Sequence, residues 1–450
     1  MNFPPAWFDT RRRLAMILLL AFSCRAALLL AVWHHDEWAL RNDSPTYLAL
    51  AVSMVHEGTF WYDGQPELMR TPGYPAFLVL GGVRSPLHFG GAQILEVLLG
   101  VAWVLLTYLL AEALVGSPAA LWAALLHALS AAPVAYSVLV LSDGLFSLLI
   151  TAALLLLVRH FRDRTWTSLA GAVVVTAAAA YTRPVGFLLV PAVVVVLLFR
   201  PRGLVKAAVF AGCFAVLVAP WFARNYLEAG YVGFSSLSDH YLLRYEAAGV
   251  MAASRGVSAQ AARDQLLHDY KAELERRGIR FDSAPAMQVA RGMGRGWILA
   301  HPLLFVKVHL VTSLGSLLPS VDLLQTMGIT RQGTGTLSVL QSQGLGAAID
   351  HYFGGDKKAL LLAVPSTLLL GVQYVAGLGF VLWNVRRRGM RWGRAGWLAA
   401  FLIIGFIGTT GPAAEPRFRL PLESLFDTAA GAGLVLLAGW KTRANRSQQA

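Results

Sequence analysis

Charge is scarce in this chain of 450 residues: Asp, Glu, Lys and Arg together make up 14% of it. A soluble domain carries about 25% charged residues. The deficit is too large for a soluble core, so most of the surface must face lipid. Acid is scarcer than base, with 25 Asp and Glu against 38 Lys and Arg and a net charge of +13. In a soluble protein that imbalance would point to nucleic acid. Here the basic residues sit in short clusters between apolar runs, as cytoplasmic loops do, and no basic stretch carries the interleaved aromatics of a single-strand binder. No nucleic-acid partner is expected. The two cysteines, Cys24 and Cys213, lie far apart inside apolar runs and read as small buried hydrophobes. No small-x-small cleavage pattern closes the apolar stretch after Arg11, Arg12 and Arg13, so it reads as an uncleaved first span. No internal repeat is evident, which weakens an inverted-repeat transporter.

What is present is apolar: hydrophobic residues make up 56% of the chain. A span needs about 20 apolar residues. Candidates are 14–33, 92–114, 119–140, 144–158, 167–181, 184–199, 204–222, 359–383, 395–412 and 420–440. The expected fold is all-α, a single polytopic bundle over 1–450 of about 10–12 spans. Two long polar segments interrupt it, 34–91 and 223–300. Region 301–358 is ambiguous. The run 301–318 either crosses and returns through 336–349, or dips in and out, or lies in the interface. Residues 258–277 have amphipathic helical spacing, with Leu266, Leu267, Tyr270 and Leu274 on one side, suited to the membrane surface or to packing over a site.

The basic clusters predict orientation. Arg11–Arg13 place the N-terminus in the cytoplasm, and Arg159, Arg162 and Arg164, then Arg200, Arg202 and Lys206, then Arg386, Arg387, Arg388, Arg391 and Arg394 mark later cytoplasmic turns. The tail, with Lys441, Arg443 and Arg446, is also basic and cytoplasmic. Both long polar segments then fall on the external face of a plasma (inner) membrane.

The first polar segment opens where span one leaves the membrane, putting Asp36, Glu37 and Asp43 at the bilayer surface. Ser44-Pro45 starts a helix whose apolar face holds Tyr47, Leu50, Ala51 and Met54. Asp43 is either the cap of that helix or a carboxylate placed as a general base. Arg70-Thr71-Pro72-Gly73-Tyr74-Pro75 follows, a rigid turn whose Arg is either solvated or set to fork onto a lipid phosphate. Arg25 lies about 17 Å into span one and must face protein or water. Asp143, Arg183 in YTRP, Arg224 in PWFARN, and Glu415, Arg417 and Arg419 in EPRFR all fall at external ends of spans. The cytoplasmic arginines are explained by topology; these are not.

Taken in order, Arg25, DSPTYLALA, RTPGYPAFL, YTRPVGFLLVP, PWFARN and RFRLPLE resemble the GT-C superfamily of membrane glycosyltransferases. The closest likeness is to the bacterial family related to protein O-mannosyltransferases and the lipid A aminoarabinose transferase. The resemblance runs from near residue 20 to 440; no single motif is strong, and the ordered set carries it. It implies a polyprenyl-phosphate sugar donor, transfer on the external face with inversion, and a glycan, lipid or protein acceptor. It further implies that Asp43 is the catalytic carboxylate, that Arg70 contacts the donor phosphate, and that Arg417 or Arg419 matches a basic position before the last span. Arg183 and Arg224 are further phosphate candidates, with Arg25, Tyr74, Asp143 and Glu415 in support. Relatives often read Asp-Glu at the catalytic position, whereas Asp43 is followed by Ser44, which keeps Asp36-Glu37 as a rival pair. No cofactor is firmly implied; a divalent metal is possible, but no His/Asp cluster has ligand spacing. The alternatives are a transporter or flippase of lipid-linked sugars, which would concentrate ionisable residues near the midplane, and a lipid-linked glycan polymerase or ligase.

Overall fold

The computed structural model describes residues 6–199, 203–281, 283–329, 336–353, 355–388 and 393–448. Arg200, Arg202 and Arg391 of the expected basic turns lie outside them, as do the side chains of Lys441, Arg443 and Arg446. The described chain is a helical bundle. Six helices are long and apolar enough to cross a membrane: Asp9–Val32, Gly90–Val115, Asp143–Asp163, Gly203–Ala229, Lys357–Arg387 and Pro416–Gly439. Four shorter apolar helices, Ser117–Leu129, Trp166–Thr182, Pro184–Leu198 and Arg394–Gly408, fill out the bundle. The ambiguous run resolves into a broken pair, Ala284–Ala300 and Pro302–Leu317, bent by 102°. Pro302 sits at the first position of its second half, where a missing N–H costs nothing.

The span expected over 119–140 is shorter. Its helix stops at Leu129, and Pro133 follows within a single turn of helix, Ala131–Ala135. Residues 136–142 then run as buried irregular backbone. Their polar groups are met from other elements: Gln93 Nε2 donates to Val138 O at 3.1 Å, Ser44 Oγ to Val140 O at 2.8 Å, and Val140 N to Ala39 O at 3.1 Å. Irregular backbone inside a bundle survives only when satisfied this way, and here it delivers Ser142 and Asp143 to one end of the next helix. Helix Gly203–Ala229 runs past its expected end at 222.

The bundle interior holds more polar side chains than Arg25, the one placed deep in a span by the sequence. Arg25 is fully buried and donates to Ala21 O and Ala128 O. Gly100 gives it room, since a Cβ there would lie 2.7 Å from Arg25 Nε. His127 Nδ1 pairs with Asp427 Oδ2 at 2.8 Å, Gln373 Nε2 donates to Asp427 Oδ1 at 2.6 Å and to Ser130 Oγ at 2.9 Å, and Arg419 Nε donates to Glu423 at 2.7 Å. Single charged residues in apolar runs find each other across helices, which a sequence window cannot show. The cysteines depart from expectation in their burial: both are free, but Cys24 is only partly buried and Cys213 is exposed.

The first polar segment folds as helix Ser44–His56, a two-stranded hairpin (Trp61–Tyr62 against Gln65–Pro66) and helix Gly73–Leu80. Asp63 and Gly64 turn the hairpin with positive φ of 50° and 72°, the backbone that a two-residue hairpin loop demands. Gly73 lies so close to the Tyr181 backbone that a Cβ would sit 2.7 Å from its carbonyl carbon, and this locks the segment against the chain entering Arg183. In the second polar segment helix Ala259–Arg277 is capped by Ser258 and ended by Gly278 with φ 64°. It buries Ala262, Leu266, Tyr270 and Leu274 against its own neighbours, Ala248–Arg255 and Ala284–Ala300. Leu267 is only partly buried.

Candidate functional site

Asp43 stands at the head of helix Ser44–His56 but does not cap it. Its backbone is helical (φ −85°, ψ −21°) and its side chain accepts no helix N–H. The Ser44 hydroxyl is engaged too, accepting from Arg41 N at 2.9 Å. The Asp43 carboxylate instead turns to two guanidinium groups, accepting from Arg70 Nη2 at 2.7 Å and from Arg417 Nη1 at 3.5 Å.

Each arginine is held from behind. Glu67 Oε1 accepts from the backbone N–H of Met69 at 2.6 Å and of Arg70 at 2.8 Å, which fixes the turn. The Arg70 guanidinium lies 5.3 Å above the Tyr47 ring, and the Tyr47 hydroxyl meets Ser142 Oγ at 3.1 Å. Arg183 follows helix Trp166–Thr182 with extended backbone (φ −146°) and pairs with Asp143 at 2.5 Å. The rings of Phe146 and Phe418 flank it at 6.0 and 5.9 Å. Arg417 rides on the 3-10 helix Pro416–Leu422. Its Nε stands 2.7 Å from Glu415, an ion pair in which the N–H is not aimed at the carboxylate. The side chains of Arg70, Arg183 and Arg417 are 17, 19 and 18% exposed and that of Asp43 is 26% exposed. Such a cluster is mostly dry, which strengthens its fields, yet each of these side chains keeps part of its surface exposed.

Burial alone would raise the Asp43 carboxyl, but the combined pull of Arg70, Arg417 and Arg183 outweighs it and holds the group below its ordinary value. Burial works against the Arg70 charge, and Tyr47, Asp43 and Glu67 overcome it, so Arg70 is raised. Both groups are ionised at neutral pH.

The other sequence candidates separate cleanly. Asp36 and Glu37 lie exposed on the turn of helix Asp36–Ala39, with Glu37 3.5 Å from His35 and, among the described residues, no arginine paired with either. Arg224 donates to the carbonyls of Glu67 and Phe60, both at 2.6 Å, and pairs with Glu228 at 2.9 Å; it fastens the loop rather than facing Asp43. Arg419 points to the opposite side of its 3-10 helix, to Glu423, Leu318 O and the Tyr374 hydroxyl. Arg25 is committed to the bundle interior. Tyr74 is fully buried, edge-on to Tyr47 at 5.0 Å. Sequence reasoning missed Ser142, Phe418 and Tyr241 and took Tyr47 for core alone. Tyr241 stands near enough to Arg417, Arg183 and Asp43 to feel their charges. Only its proximity in space reveals it.

A divalent metal suits this donor set poorly. Asp43, Asp143 and Glu415 are each paired with a guanidinium, so a metal would face three fixed positive charges. Among the described residues no group of three His, Cys, Asp or Glu side chains could hold one.

Residues 88–223 match the family model described as dolichyl-phosphate-mannose-protein mannosyltransferase. That stretch contains Asp143 and Arg183 but not Asp43, Arg70 or Arg417. The archaeal oligosaccharyltransferase AglB from Archaeoglobus fulgidus, solved with an inhibitory peptide and a dolichol-phosphate, superposes over 99% of this chain with a TM-score of 0.56 at 16% identity. The chain shares the fold of that structure over this length. It spans about half of the AglB chain, 52%. A second structure of the A. fulgidus enzyme, in complex with Zn and sulfate, covers 94% of this chain and 49% of its own at a TM-score of 0.51 and 14% identity. ArnT from Cupriavidus metallidurans bound to undecaprenyl phosphate aligns at a TM-score of 0.42 and 14% identity, over 95% of this chain and 77% of its own. No curated protein matches.

Proposed function

We propose that this chain is an inverting glycosyltransferase that moves a sugar from a polyprenyl-phosphate donor to an acceptor hydroxyl at the outer face of the membrane. The observation that carries the reading is the convergence of Arg70, Arg183 and Arg417 around Asp43 from three separate parts of the chain. In such a reaction the bond between the anomeric carbon and the phosphate oxygen breaks. Negative charge develops on the departing phosphate, where preorganised guanidinium groups stabilise it. Asp43 takes the proton of the acceptor hydroxyl as that oxygen attacks from the opposite side. At rest the arginines neutralise Asp43. A donor phosphate competes for Arg70 and Arg417 and leaves the carboxylate with fewer partners, hence more basic, at the moment a base is needed. Among the three, Arg417 is the readiest to switch, because its other partner, Glu415, is 51% exposed.

The outer-face assignment is supported by one helix. Asp143–Asp163 begins in the site and ends at the basic turn, where Arg394 Nη2 donates to Phe161 O and Lys206 meets His160. The site and those basic loops therefore lie at opposite ends of the bundle. The acceptor is a cell-envelope glycan, lipid or protein. The buried polar groups around His127 and Asp427 would also suit a transporter of lipid-linked sugars. Sugar transfer by the purified protein in detergent, where no bilayer remains to be crossed, separates the two. In the cell, mass spectrometry of envelope lipids and glycans with and without the gene should show loss of one sugar from a finished product, with its lipid-linked donor accumulating. An unchanged set of finished glycans refutes the transferase.

A further inference from the structure

Tyr241 reaches the Asp43 cluster from the second polar segment, and Arg417 reaches it from the turn before the last helix. Among the charges near Tyr241, that of Arg417 acts on it most strongly. Tyr241 opens a π-helix, Leu242–Ala247, whose backbone bonds join residues five apart. Tyr241 and Glu246 therefore share one side of it, where an α-helix of 3.6 residues per turn would part them. On that side Glu246 meets His309, which helix Pro302–Ser313 carries. The turn that leads to Arg417 begins at Gly408, the end of helix Arg394–Gly408, and His309 meets that too. Its Nε2 lies 2.6 Å from Gly408 O and its Nδ1 2.9 Å from Glu246 Oε2. The three pieces of chain join without spare room. Gly411 has φ 48°, and a Cβ on it would collide with the Glu246 carboxylate and stand 2.6 Å from His309 Nδ1. A Cβ on Gly249 would stand 2.7 Å from Pro412 Cγ. Ser313 Oγ, on the helix of His309, accepts from Gly411 N at 3.1 Å.

This bonding pattern requires a proton. A carbonyl can only accept, so Nε2 carries hydrogen. An ionised carboxylate can only accept as well, so a second hydrogen lies between Nδ1 and Glu246. The pair is an imidazolium beside a carboxylate or, with the same proton moved across, an imidazole beside a carboxylic acid. Without that proton a nitrogen lone pair would face a carboxylate at 2.9 Å. Among the described residues Glu246 is the charged group that acts on His309. On the helices packed against it, Arg255 lies over the Trp297 ring, Arg291 pairs with Asp239, Arg295 is exposed and Arg394 donates to Phe161 O.

We infer that His309 and Glu246 are a positioning pair for the transfer reaction: holding one proton between them, they fix Tyr241 and Arg417 against each other at the Asp43 cluster, and loss of that proton in alkali loosens the place of the donor phosphate. The inference rests on the transferase reading, in which Arg417 meets that phosphate. Neither member of the pair touches substrate; both act through the segments they join.

The test uses the full-length protein in phosphatidylcholine nanodiscs and direct binding of undecaprenyl phosphate. Affinity is measured near neutral pH and at about pH 9.5, above the ordinary range of histidine and below that of tyrosine. A phosphate monoester completes its second ionisation at about pH 6, and burial raises the Tyr241 hydroxyl, so neither changes charge over the interval. The unsubstituted protein should bind about fivefold or more weakly at the higher pH. His309→Ala should bind weakly at both. Glu246→Gln should bind more weakly than the unsubstituted protein at neutral pH but equally at the two pH values, because its amide N–H can donate to a neutral ring and the join no longer needs the proton. Titration of any other group would persist in that variant. Equal affinity of the unsubstituted protein at both pH values overturns the inference, and so does an undiminished pH dependence in Glu246→Gln. Should His309→Ala fail to fold, those two comparisons decide alone. Binding that Arg70→Ala weakens and His309→Ala leaves unchanged overturns the positioning pair and spares the donor reading. Absence of saturable binding to the unsubstituted protein refutes the donor reading, and the positioning role falls with it.

Discussion

Asp43→Asn separates a catalytic carboxylate from a structural one, because the two roles predict losses of different size. The substitution keeps the shape of the side chain and its acceptor oxygen but removes the charge. The bond from Arg70 Nη2 at 2.7 Å then changes from one between ions to one with a neutral acceptor. Arg70 stays charged, so the remaining bond still belongs with those to a charged group, about 1.5–3 kcal/mol, and only the ion–ion part of the attraction is lost. The looser contact of Arg417 at 3.5 Å adds less. The fold should therefore lose about 1–2 kcal/mol, a modest drop in thermal stability. Turnover should fall much further. A positioned general base contributes about 10²–10⁴-fold, or about 3–5 kcal/mol of barrier. Donor affinity should hold or improve, since Arg70 and Arg417 no longer share themselves with an anion. The assay is single-turnover transfer from a saturating polyprenyl-phosphate sugar in nanodiscs, with Asp36→Asn as control. An Asp43→Asn protein that turns over within a few-fold of the unsubstituted one refutes the base assignment. A dead Asp36→Asn beside an active Asp43→Asn moves the chemistry to the exposed pair.

Arg70→Ala should weaken donor binding and also shift the acid limb of activity. Arg70 is the largest single influence holding the Asp43 carboxyl down, so its removal raises that group and activity should fail at a higher pH as the medium is acidified. The sign is fixed: a depressed carboxyl contributes stability above its unfolded value and loses it as pH falls through its folded value. An acid limb that does not move contradicts the pairing. Alkaline-phosphatase fusions at Gly64, the tip of the hairpin, and at Ala252, in the second polar segment, should both be active. Inactivity of both inverts the orientation.

The sequence shows most of this bundle because lipid imposes a long apolar period that survives in one dimension. Helices such as Gly90–Val115 and Asp143–Asp163 fall where hydropathy puts them. The failure at 119–140 has a local cause. Hydropathy does not register that Ser130 and Pro133 end the helix, and the apolar residues 136–142 are buried without being helical. The site divides along the same line. Asp43 and Arg70 are legible because they share one loop with rigid turn chemistry. Arg183 and Arg417 can be named as arginines at span ends, but so can Arg224 and Arg419, whose side chains turn elsewhere. Which way a side chain points depends on partners such as Glu67 O or Glu423, and those are set only by three-dimensional packing. The hairpin at Asp63-Gly64 escapes notice because two residues per strand are too few to show alternation.

The buried pairing of His127 with Asp427 has a consequence for how the molecule is made. Three hundred positions separate the two partners. At about 5–20 residues per second, a ribosome needs roughly 15–60 s to cover that interval. Through all of it the helix carrying His127 waits without the acid that answers it, and the helix carrying Gln373 joins it only for the last 54 positions. The final helix is therefore the wedge that closes the bundle. It brings Asp427 to His127 and Gln373, and Ser424 to Trp103 and Thr151, in one insertion step. Until it arrives, His127 and Gln373 stand inside an apolar bundle without the acid that satisfies them, at the cost of leaving buried polar groups unpaired.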